Sequence, residues 1–352
     1  MALVLLLTTE CQSRYAGVSS FESEVIKEFD NILTIEPTIK RLLDLKPTIE
    51  EIRSSNQVNE RPVIGIFTQP YNDTSDYIMA AYVKFVEASG ARAIPIVWRD
   101  SDEDILKLVP KMNGVLFPGG GTSLKNKDGS LTEYSRKGEL VLNKVKELND
   151  QGIYYPILAI CLGFQEVSQI EAPYVDTLET YYFDADDISN NVTLKSTISE
   201  SKLFNEMPQH LITAIEQENI TYNHHHDGVL PSAWNNHAEL RDAYHLLGVS
   251  YDEKDIEYVA FVESKNYPIW GLQFHPEKNI FIWKPDLHVP HSPTAIELSQ
   301  FLSNFFIREA RKNFNQFDSD QDAFDHMIEH IAVDLTTAAA QDIYVFDINN
   351  HS

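Results

Sequence analysis

The chain has 352 residues, of which 43% are apolar and 23% are charged. This composition is typical of a soluble globular protein and excludes a disordered or low-complexity chain. There are 28 Lys and Arg residues against 53 Asp and Glu residues, so the formal net charge is −25. So acidic a chain has no general electrostatic attraction for nucleic acid or an anionic membrane. In addition, no apolar run reaches the roughly 18 residues that span a bilayer. We therefore expect neither a nucleic acid nor a membrane as a partner.

The only cysteines are Cys11 and Cys161, which excludes a disulfide-stapled scaffold. An apolar run, Ala2–Leu7, precedes the small-x-small sequence Cys11-Gln12-Ser13. This pattern indicates a signal peptide over residues 1–13, although the run is short and no Lys or Arg precedes it. The alternative is simply an apolar chain start. If cleavage follows Ser13, Cys161 is the one thiol left and cannot form an internal disulfide.

Two further segments follow. Residues 14–60 are predicted to form an N-terminal helical arm, because apolar residues in Phe21–Leu33 recur at helical spacing; a pro-segment is the alternative. Residues 61–352 are predicted to form the catalytic domain. Its first half alternates short apolar strands with helices, which predicts an α/β fold with a mostly parallel sheet covered on both faces.

Cys161 follows the apolar strand-like run Ile157–Ile160, and a helix is predicted directly after it. Gly163 allows the tight turn, so the segment has the strand–nucleophile–helix pattern with sulfur in place of oxygen. A helix N-terminus favours the thiolate form of such a cysteine. The alternative is a buried structural cysteine.

A cysteine nucleophile needs a base, and His275 follows another predicted strand. Glu277, two residues later, is suited to orient its imidazole. Backbone amides of Gly119 and Gly120, in a Gly-rich loop after a strand, are predicted to form an oxyanion hole with the amide of Leu162. Such loops also bind phosphate, but no P-loop Lys-Ser/Thr follows this one.

Two clusters, one of histidines and one of aspartates, contain side chains that can bind metal ions. Consecutive residues of Asn223–His226 point to alternating faces of a strand, so we favour one histidine in a substrate pocket over a metal site. The acidic tail has EF-hand spacing at Asp318, Asp320 and Asp322, but Ala323 occupies the glycine position. We expect an acidic helix start there. No metal or other cofactor is expected.

At this point the chain resembles a known family. The blocks 114–120, 161–164 and 274–279 are similar to γ-glutamyl hydrolase (folylpoly-γ-glutamate hydrolase), within the class I glutamine-amidotransferase-like superfamily. Trp283 and the stretches 291–295, 305–312 and 344–347 extend the resemblance, which spans Arg61 to Asp347.

The resemblance implies a three-layer α/β/α, flavodoxin-like fold. It also implies cysteine-dependent hydrolysis of γ-glutamyl isopeptide bonds in folyl- or antifolate polyglutamates, through a γ-glutamyl thioester. Together with the signal peptide, it predicts a lysosomal, vacuolar or extracellular glycoprotein; without a signal the protein is cytoplasmic. The resemblance leaves open whether the protein forms a homodimer. The alternatives are a glutaminase subunit of an amidotransferase and a non-catalytic binding homologue.

By this resemblance Cys161 is the nucleophile, His275 its base and Glu277 the support of His275. The family's Asn-x-His histidine best matches His225, with His226 as the alternative. The chain departs from the family at two positions that precede and follow the cysteine: Ala159 stands where the family usually has Gly, and Gln165 where it usually has an acid. A glutamine at that place is familiar in glutamine amidotransferases, so Gln165 is assigned to the substrate pocket.

The expected substrate is a polyanion, and the protein itself is acidic. Binding is therefore expected to rest on a local basic patch. Lys125 and Lys127 follow the Gly-rich loop and Lys278 follows Glu277, so these lysines are predicted to border the cleft. The alternative for each is a solvated surface lysine.

Overall fold

The computed structural model describes residues 57–172, 176–334 and 342–347. The predicted signal peptide and the predicted arm, except for residues 57–60, lie outside these ranges. Within them, no helix is both long enough and apolar enough to cross a membrane.

The strands are, in chain order, β1 (Val63–Phe67), β2 (Gln69–Asn72), β3 (Ser75–Met79), β4 (Arg92–Ile96), β5 (Gly114–Phe117), β6 (Ile157–Ile160), β7 (Ala185–Asn190), β8 (Thr193–Leu194), β9 (Thr221–His225), β10 (Tyr244–Tyr251), β11 (Glu257–Ser264), β12 (Ile269–Leu272), β13 (Val333–Asp334) and β14 (Ile343–Asp347). The α-helices are α1 (Ala80–Glu87), α2 (Asp102–Leu108), α3 (Glu133–Asp150), α4 (Leu162–Glu171), α5 (Lys202–Glu206), α6 (Gln209–Gln217), α7 (Pro231–Asn236), α8 (Ala238–Ala243), α9 (Lys278–Phe281), α10 (Pro293–Ala310) and α11 (Asp320–Asp325).

The main sheet has the strand order β4-β1-β5-β6-β12-β11-β10-β8. The first five strands run parallel, and β11, β10 and β8 extend the sheet in antiparallel fashion. Numbered along the chain, the parallel strands have the order 2-1-3-4-5, which is the flavodoxin-like doubly wound topology. In such sheets ligands bind outside the carboxyl ends of the strands. Here the neighbouring strands β5, β6 and β12 end at the Gly-rich loop, the cysteine and the histidine.

Side chains that alternate along β1 enter two separate cores. Ile64 and Ile66 pack in the core that contains apolar residues of α1 and α10. Val63 and Phe67 pack in the core that contains apolar residues of α3 and α4. All five residues of β1 are buried, as expected for a parallel strand with both faces covered. The predicted three-layer α/β/α fold is therefore confirmed.

Hydroxyl side chains fix the starts of the flanking helices. Ser101, Thr132 and Ser292 each accept a hydrogen bond from a backbone amide in the first turn of α2, α3 and α10. In α10 the cap is followed by Pro293, whose missing amide hydrogen costs nothing in the first turn. These caps orient the helices that cover both faces of the sheet.

Two smaller antiparallel sheets differ from the sequence-based expectation. A helix was expected over Ile78–Ser89, but Ser75–Met79 form a strand that pairs with β14, and α1 begins at Ala80. This sheet has the order β13-β14-β3-β2, and the pair β7-β9 forms the other. The strand-like character expected for the tail at Asp342–Asp347 is confirmed, since β14 supplies the partner of β3.

Candidate active site

Cys161 lies at a sharp turn between β6 and α4. Its backbone has φ 51° and ψ −109°, which is a strained conformation for a residue with a side chain. The Cys161 amide donates to the carbonyl of Leu272 at 2.7 Å, which ties the turn to β12. A Cβ atom on Gly163 would lie 2.2 Å from the Phe117 carbonyl oxygen, so only glycine fits there. The structure thus contains the elbow that the sequence predicted, with a buried free thiol at its apex.

His275 comes from the adjacent strand end. Because β12 pairs in parallel with β6, the residues after these strands meet at one edge of the sheet. The His275 Nδ1 atom lies 2.8 Å from Glu277 Oε1, in a pair that is almost fully buried. The Nε2 atom is buried and forms no hydrogen bond within the described residues. The carboxylate therefore holds the imidazole from one side and leaves Nε2 available for chemistry.

Electrostatics favour the charged form of this imidazole. Burial lowers the pKa of His275, and so does the Lys278 ammonium. The charges of Cys161 and Glu277 act in the opposite direction and outweigh both, so the pKa of His275 is raised above its usual value. An imidazolium beside a thiolate is the state in which His275 can donate a proton.

Tyr82, on α1, joins this group although nothing in its sequence context predicted it. Its hydroxyl accepts a hydrogen bond from the Gly119 amide at 2.8 Å and lies 3.2 Å from His275 Nδ1. Burial raises the pKa of Tyr82, and the charges of Glu277 and Cys161 raise it further, so the hydroxyl keeps its proton. One phenol thus connects the Gly-rich loop with the His275–Glu277 pair.

The Gly-rich loop lies between Cys161 and His275. A Cβ atom on Gly119 would lie 2.5 Å from the Tyr82 hydroxyl, 2.8 Å from His275 Cε1 and 3.2 Å from Cys161 Cβ. Glycine is required for this close approach. The Gly119 amide was predicted to donate to an oxyanion, but it already donates to Tyr82.

Gly120 and Leu162 remain predicted oxyanion donors. The Leu162 amide is at the first position of α4, where a helix supplies no partner for it. At Gly120, a Cβ atom would lie 2.4 Å from Gln69 Oε1, so a buried side chain supports the loop at this residue. Gln69 in turn hydrogen-bonds Tyr134 and Thr122. The amides of Gly120 and Leu162 are therefore the candidate oxyanion donors.

The structure distinguishes the three consecutive histidines. His225 is buried at the end of β9, with Nδ1 2.9 Å from the Asp227 carbonyl oxygen. A carbonyl oxygen only accepts, so Nδ1 carries the proton and the buried Nε2 presents a lone pair that no described residue satisfies. Burial lowers the pKa of His225 to about 3, so the ring is neutral. His224 and His226 instead lie half-exposed beside Asp186, at 2.7 and 3.7 Å.

Two buried glutamines connect this region to the cysteine. Gln165 Nε2 donates to the Asp227 carbonyl at 2.8 Å and to Gln273 Oε1 at 3.3 Å. Gln273 Nε2 lies 3.7 Å from Cys161 Sγ. Gln165 was expected in the substrate pocket, whereas Gln273 was not predicted. Its position in the sequence, two residues before His275, is a signal that could have found it.

The three lysines of the predicted basic patch have different surroundings in the structure. The Lys125 ammonium lies 3.5 Å from Asp176, and Lys127 is exposed. Lys278 is buried, with its ammonium 5.3 Å from the centre of the Tyr222 ring and in no ion pair among the described residues. Burial lowers the pKa of Lys278, while Glu277 and Cys161 oppose this. Lys278 is therefore the lysine that the structure brings to the catalytic residues.

The acidic side chains of the segment with EF-hand spacing form ion pairs with a lysine and an arginine of the protein itself. Lys111 lies 2.7 Å from Asp318 and 3.0 Å from Asp322, and Arg61 lies 2.8 Å from Asp320. Within the described ranges no group of three or more His, Cys, Asp or Glu side chains is arranged to hold a metal ion. The segment forms the start of α11, as the alternative interpretation predicted.

Comparison with known proteins adds independent information. The Peptidase C26 family model matches residues 62–277. Among curated relatives, γ-glutamyl hydrolase B of Dictyostelium discoideum is 31% identical over 312 residues, covering 86% of this chain and 88% of that protein. γ-Glutamyl hydrolase 1 of Arabidopsis thaliana is 35% identical, covering 74% and 75%. The γ-glutamyl hydrolase of Rattus norvegicus is 32% identical, covering 82% and 90%.

Among solved structures, a putative GMP synthase component from Thermoplasma acidophilum aligns with a TM-score of 0.38 at 16% identity, covering 72% of this chain and 98% of that one. The family match encloses the Gly-rich loop, the Cys161 elbow and the His275–Glu277 pair. The chain belongs to the Peptidase C26 family, and its curated relatives are γ-glutamyl hydrolases.

Proposed function

We propose that this enzyme hydrolyses γ-glutamyl isopeptide bonds of folyl- or antifolate polyglutamates through a γ-glutamyl thioester on Cys161. The observation that carries the proposal is the strained cysteine elbow beside a buried histidine whose Nδ1 is held by Glu277 and whose Nε2 is unoccupied. Curated relatives named γ-glutamyl hydrolase support the choice of bond.

The first half of the reaction uses the nucleophile and the acid together. The Cys161 thiolate attacks the γ-carbonyl carbon and forms a carbon–sulfur bond. Amides of Gly120 and Leu162 stabilise the negative charge that develops on the carbonyl oxygen. As the carbon–nitrogen bond breaks, His275 Nε2 donates its proton to the leaving amine. The products at this stage are the thioester and a shortened amine component.

Water completes the cycle. Neutral His275 Nε2 accepts a proton from water as the oxygen bonds to the thioester carbon, and the carbon–sulfur bond then breaks. This releases the γ-carboxylic acid and restores the ion pair of Cys161 and His275. Glu277 keeps the imidazole oriented through both halves, since its carboxylate accepts from Nδ1.

Two further side chains are assigned to substrate binding. The neutral His225 ring presents a buried lone pair on Nε2, which suits an N–H donor of the substrate. The Lys278 ammonium suits the α-carboxylate of the glutamyl residue that is attacked. Lys125 and Lys127 stay candidates for contacts with more distant glutamates, where Lys125 would exchange its contact with Asp176.

One assay separates the three candidate functions. Purified protein is incubated with a folyl polyglutamate and, separately, with glutamine. We expect release of glutamate or short polyglutamates from the first and little ammonia from the second. Ammonia release alone would indicate a glutaminase subunit, and inactivity on both would indicate a non-catalytic homologue. Cys161→Ala is the control, because it removes the nucleophile and leaves the elbow backbone in place.

We further propose a lysosomal, vacuolar or extracellular location. Three sequons, at Asn72, Asn191 and Asn219, have exposed asparagines, as glycosylation requires. Mass spectrometry of the native protein tests this: glycans and a missing N-terminus support it, and an intact unglycosylated chain indicates a cytoplasmic protein. The homodimer stays a prediction that light scattering of the purified protein can check.

A further inference from the structure

A chain of buried amides runs from the Asp227 backbone to the catalytic sulfur. Gln165 and Gln273 have 3% and 0% exposed surface, so neither amide can turn to water. The contacts are Asp227 carbonyl to Gln165 at 2.8 Å, Gln165 to Gln273 at 3.3 Å, and Gln273 to Cys161 Sγ at 3.7 Å. We call Gln165 and Gln273 the amide relay.

The direction of the relay follows from the backbone carbonyl at its far end. A carbonyl oxygen can only accept, so the nitrogen of Gln165 must face Asp227. The same nitrogen has a second hydrogen, which it donates to Gln273 Oε1. With its oxygen committed to Gln165, Gln273 directs its own NH₂ group at Cys161. The orientation of both amides is therefore fixed by one acceptor that cannot be reversed.

We propose that the amide relay stabilises and orients the Cys161 thiolate by presenting an N–H donor to Sγ. The proposal rests on the proposed function, since it takes Cys161 as the nucleophile. Gln273 acts directly on the reacting sulfur, and Gln165 is a positioning residue. A hydrogen bond that Gln273 donates is stronger to the thiolate than to the thiol, so it favours the charged form of Cys161.

The amide relay gives a physical reason for the departure of Gln165 from the family pattern. A carboxylate at this position cannot donate to the Asp227 carbonyl. It would also accept from Gln273 and turn the Gln273 oxygen toward the sulfur, where it repels the thiolate. A carboxylic acid can donate only one hydrogen. An amide is thus the group that satisfies both acceptors at once.

The thiolate has other charged neighbours, and these stay constant in the test. Tyr82 from α1 and both His275 and Lys278 from the segment after β12 interact electrostatically with Cys161, and Glu277 pairs with His275. The relay adds a neutral donor to this set. Its removal therefore changes the hydrogen bonding of the sulfur without changing the number of charges.

The experiment measures alkylation of Cys161 in the full-length protein by iodoacetamide as a function of pH. Gln273→Leu removes the donor at similar volume. We expect the pH midpoint of alkylation to rise by about one unit, which corresponds to a roughly tenfold loss of thiolate below the midpoint. Steady-state hydrolysis should show a lower kcat with little change in KM, because substrate does not replace this contact.

A second variant keeps the test available if Gln273→Leu does not fold. Gln165→Met removes the positioning amide at similar length and adds no charge. Without the Gln165 donor the Gln273 amide is no longer held in one orientation, so we expect the pH midpoint of alkylation to rise in the same direction as for Gln273→Leu. Gln169→Leu is the matched control: this buried amide on α4 bonds Thr177 and the Ala172 carbonyl, so only stability should change.

A wild-type pH midpoint in folded Gln273→Leu or Gln165→Met overturns the relay. That outcome leaves the proposed function intact, provided that Cys161→Ala abolishes hydrolysis. Conversely, hydrolysis that survives in Cys161→Ala overturns the proposed function whatever the alkylation midpoint is. Circular dichroism of each variant establishes that it is folded.

Discussion

The Tyr82 hydroxyl accepts a hydrogen bond from the Gly119 backbone amide at 2.8 Å. This contact holds the loop that precedes the Gly120 amide, so the position of the candidate oxyanion donor depends on a residue from another layer of the fold. The hydroxyl also lies beside the His275–Glu277 pair. Tyr82 therefore couples two parts of the candidate active site that the sequence predicted separately.

Tyr82→Phe should reduce kcat about tenfold and leave the fold unchanged. The ring still fills its buried site, and the loss corresponds to one hydrogen bond worth about 1.4 kcal/mol at the transition state. Steady-state hydrolysis of a folyl polyglutamate provides the measurement. Tyr155→Phe is the matched control, because its buried hydroxyl bonds the Val109 carbonyl at 2.7 Å and should affect stability alone. Equal kcat values for the Tyr82→Phe variant and the wild type would show that the loop does not need this anchor.

Cys161→Ser should fold normally and lose nearly all hydrolysis. The imidazole partner is arranged to stabilise a thiolate, and a serine hydroxyl stays protonated beside it. Labelling with iodoacetamide followed by peptide mass spectrometry should find Cys161 modified in step with inactivation of the wild type. Activity close to that of the wild type in this variant contradicts the assignment of the nucleophile.

The fold and the core of the site could be predicted from the sequence because they rest on local patterns. An apolar strand that ends at Cys161, and another that ends before His275, define the elbow and the base without knowledge of distant contacts. Tyr82 and Gln273 act through partners that are far away in the chain, and their own neighbourhoods look like ordinary apolar segments. The β3 strand was missed for the same reason, since its partner β14 lies near the other end of the chain.

His225→Asn should raise KM about tenfold, whereas His226→Asn should change it less than twofold. The buried Nε2 of His225 presents a lone pair that no described residue satisfies, and His226 is half-exposed beside Asp186. Since burial lowers the pKa of His225 to about 3, its contribution should not titrate between about pH 5 and 8. Kinetics of both variants over this range test the assignment. A silent His225→Asn with a damaging His226→Asn reverses it.

Glu166→Gln should flatten the pH dependence of stability. The Glu166 carboxyl is buried in α4 against Gly138, and burial raises its pKa well above the usual range of a glutamate, an effect that Tyr134 opposes. Above that usual range the unfolded chain releases the proton while the folded protein retains it. The free energy of unfolding contributed by this group therefore falls as pH rises.

Urea unfolding at about pH 5 and about pH 8 measures the slope for the wild type and for Glu166→Gln. The loss of stability between these values should be smaller in the variant. Glu147→Gln is the matched control, since its side chain is exposed on α3 and solvent already reaches it. If the slopes of the wild type and Glu166→Gln coincide, the carboxyl is ionised in the folded protein.

Lys278 and Lys127 should affect the KM of short and long substrates differently. Lys278 is buried beside Glu277 and Cys161, and we propose that its ammonium contacts the glutamyl residue that is attacked. Lys278→Met should raise KM by a similar factor, about tenfold, for a diglutamate and for a long polyglutamate. Lys127 is exposed, and Lys127→Ala should raise KM about twofold and only for the long substrate, because a solvated contact contributes less than about 1 kcal/mol. Added salt should weaken the effect of Lys127→Ala and leave that of Lys278→Met, since screening acts mainly on exposed charges. A length-dependent effect of Lys278→Met would instead place its ammonium further along the polyglutamate chain.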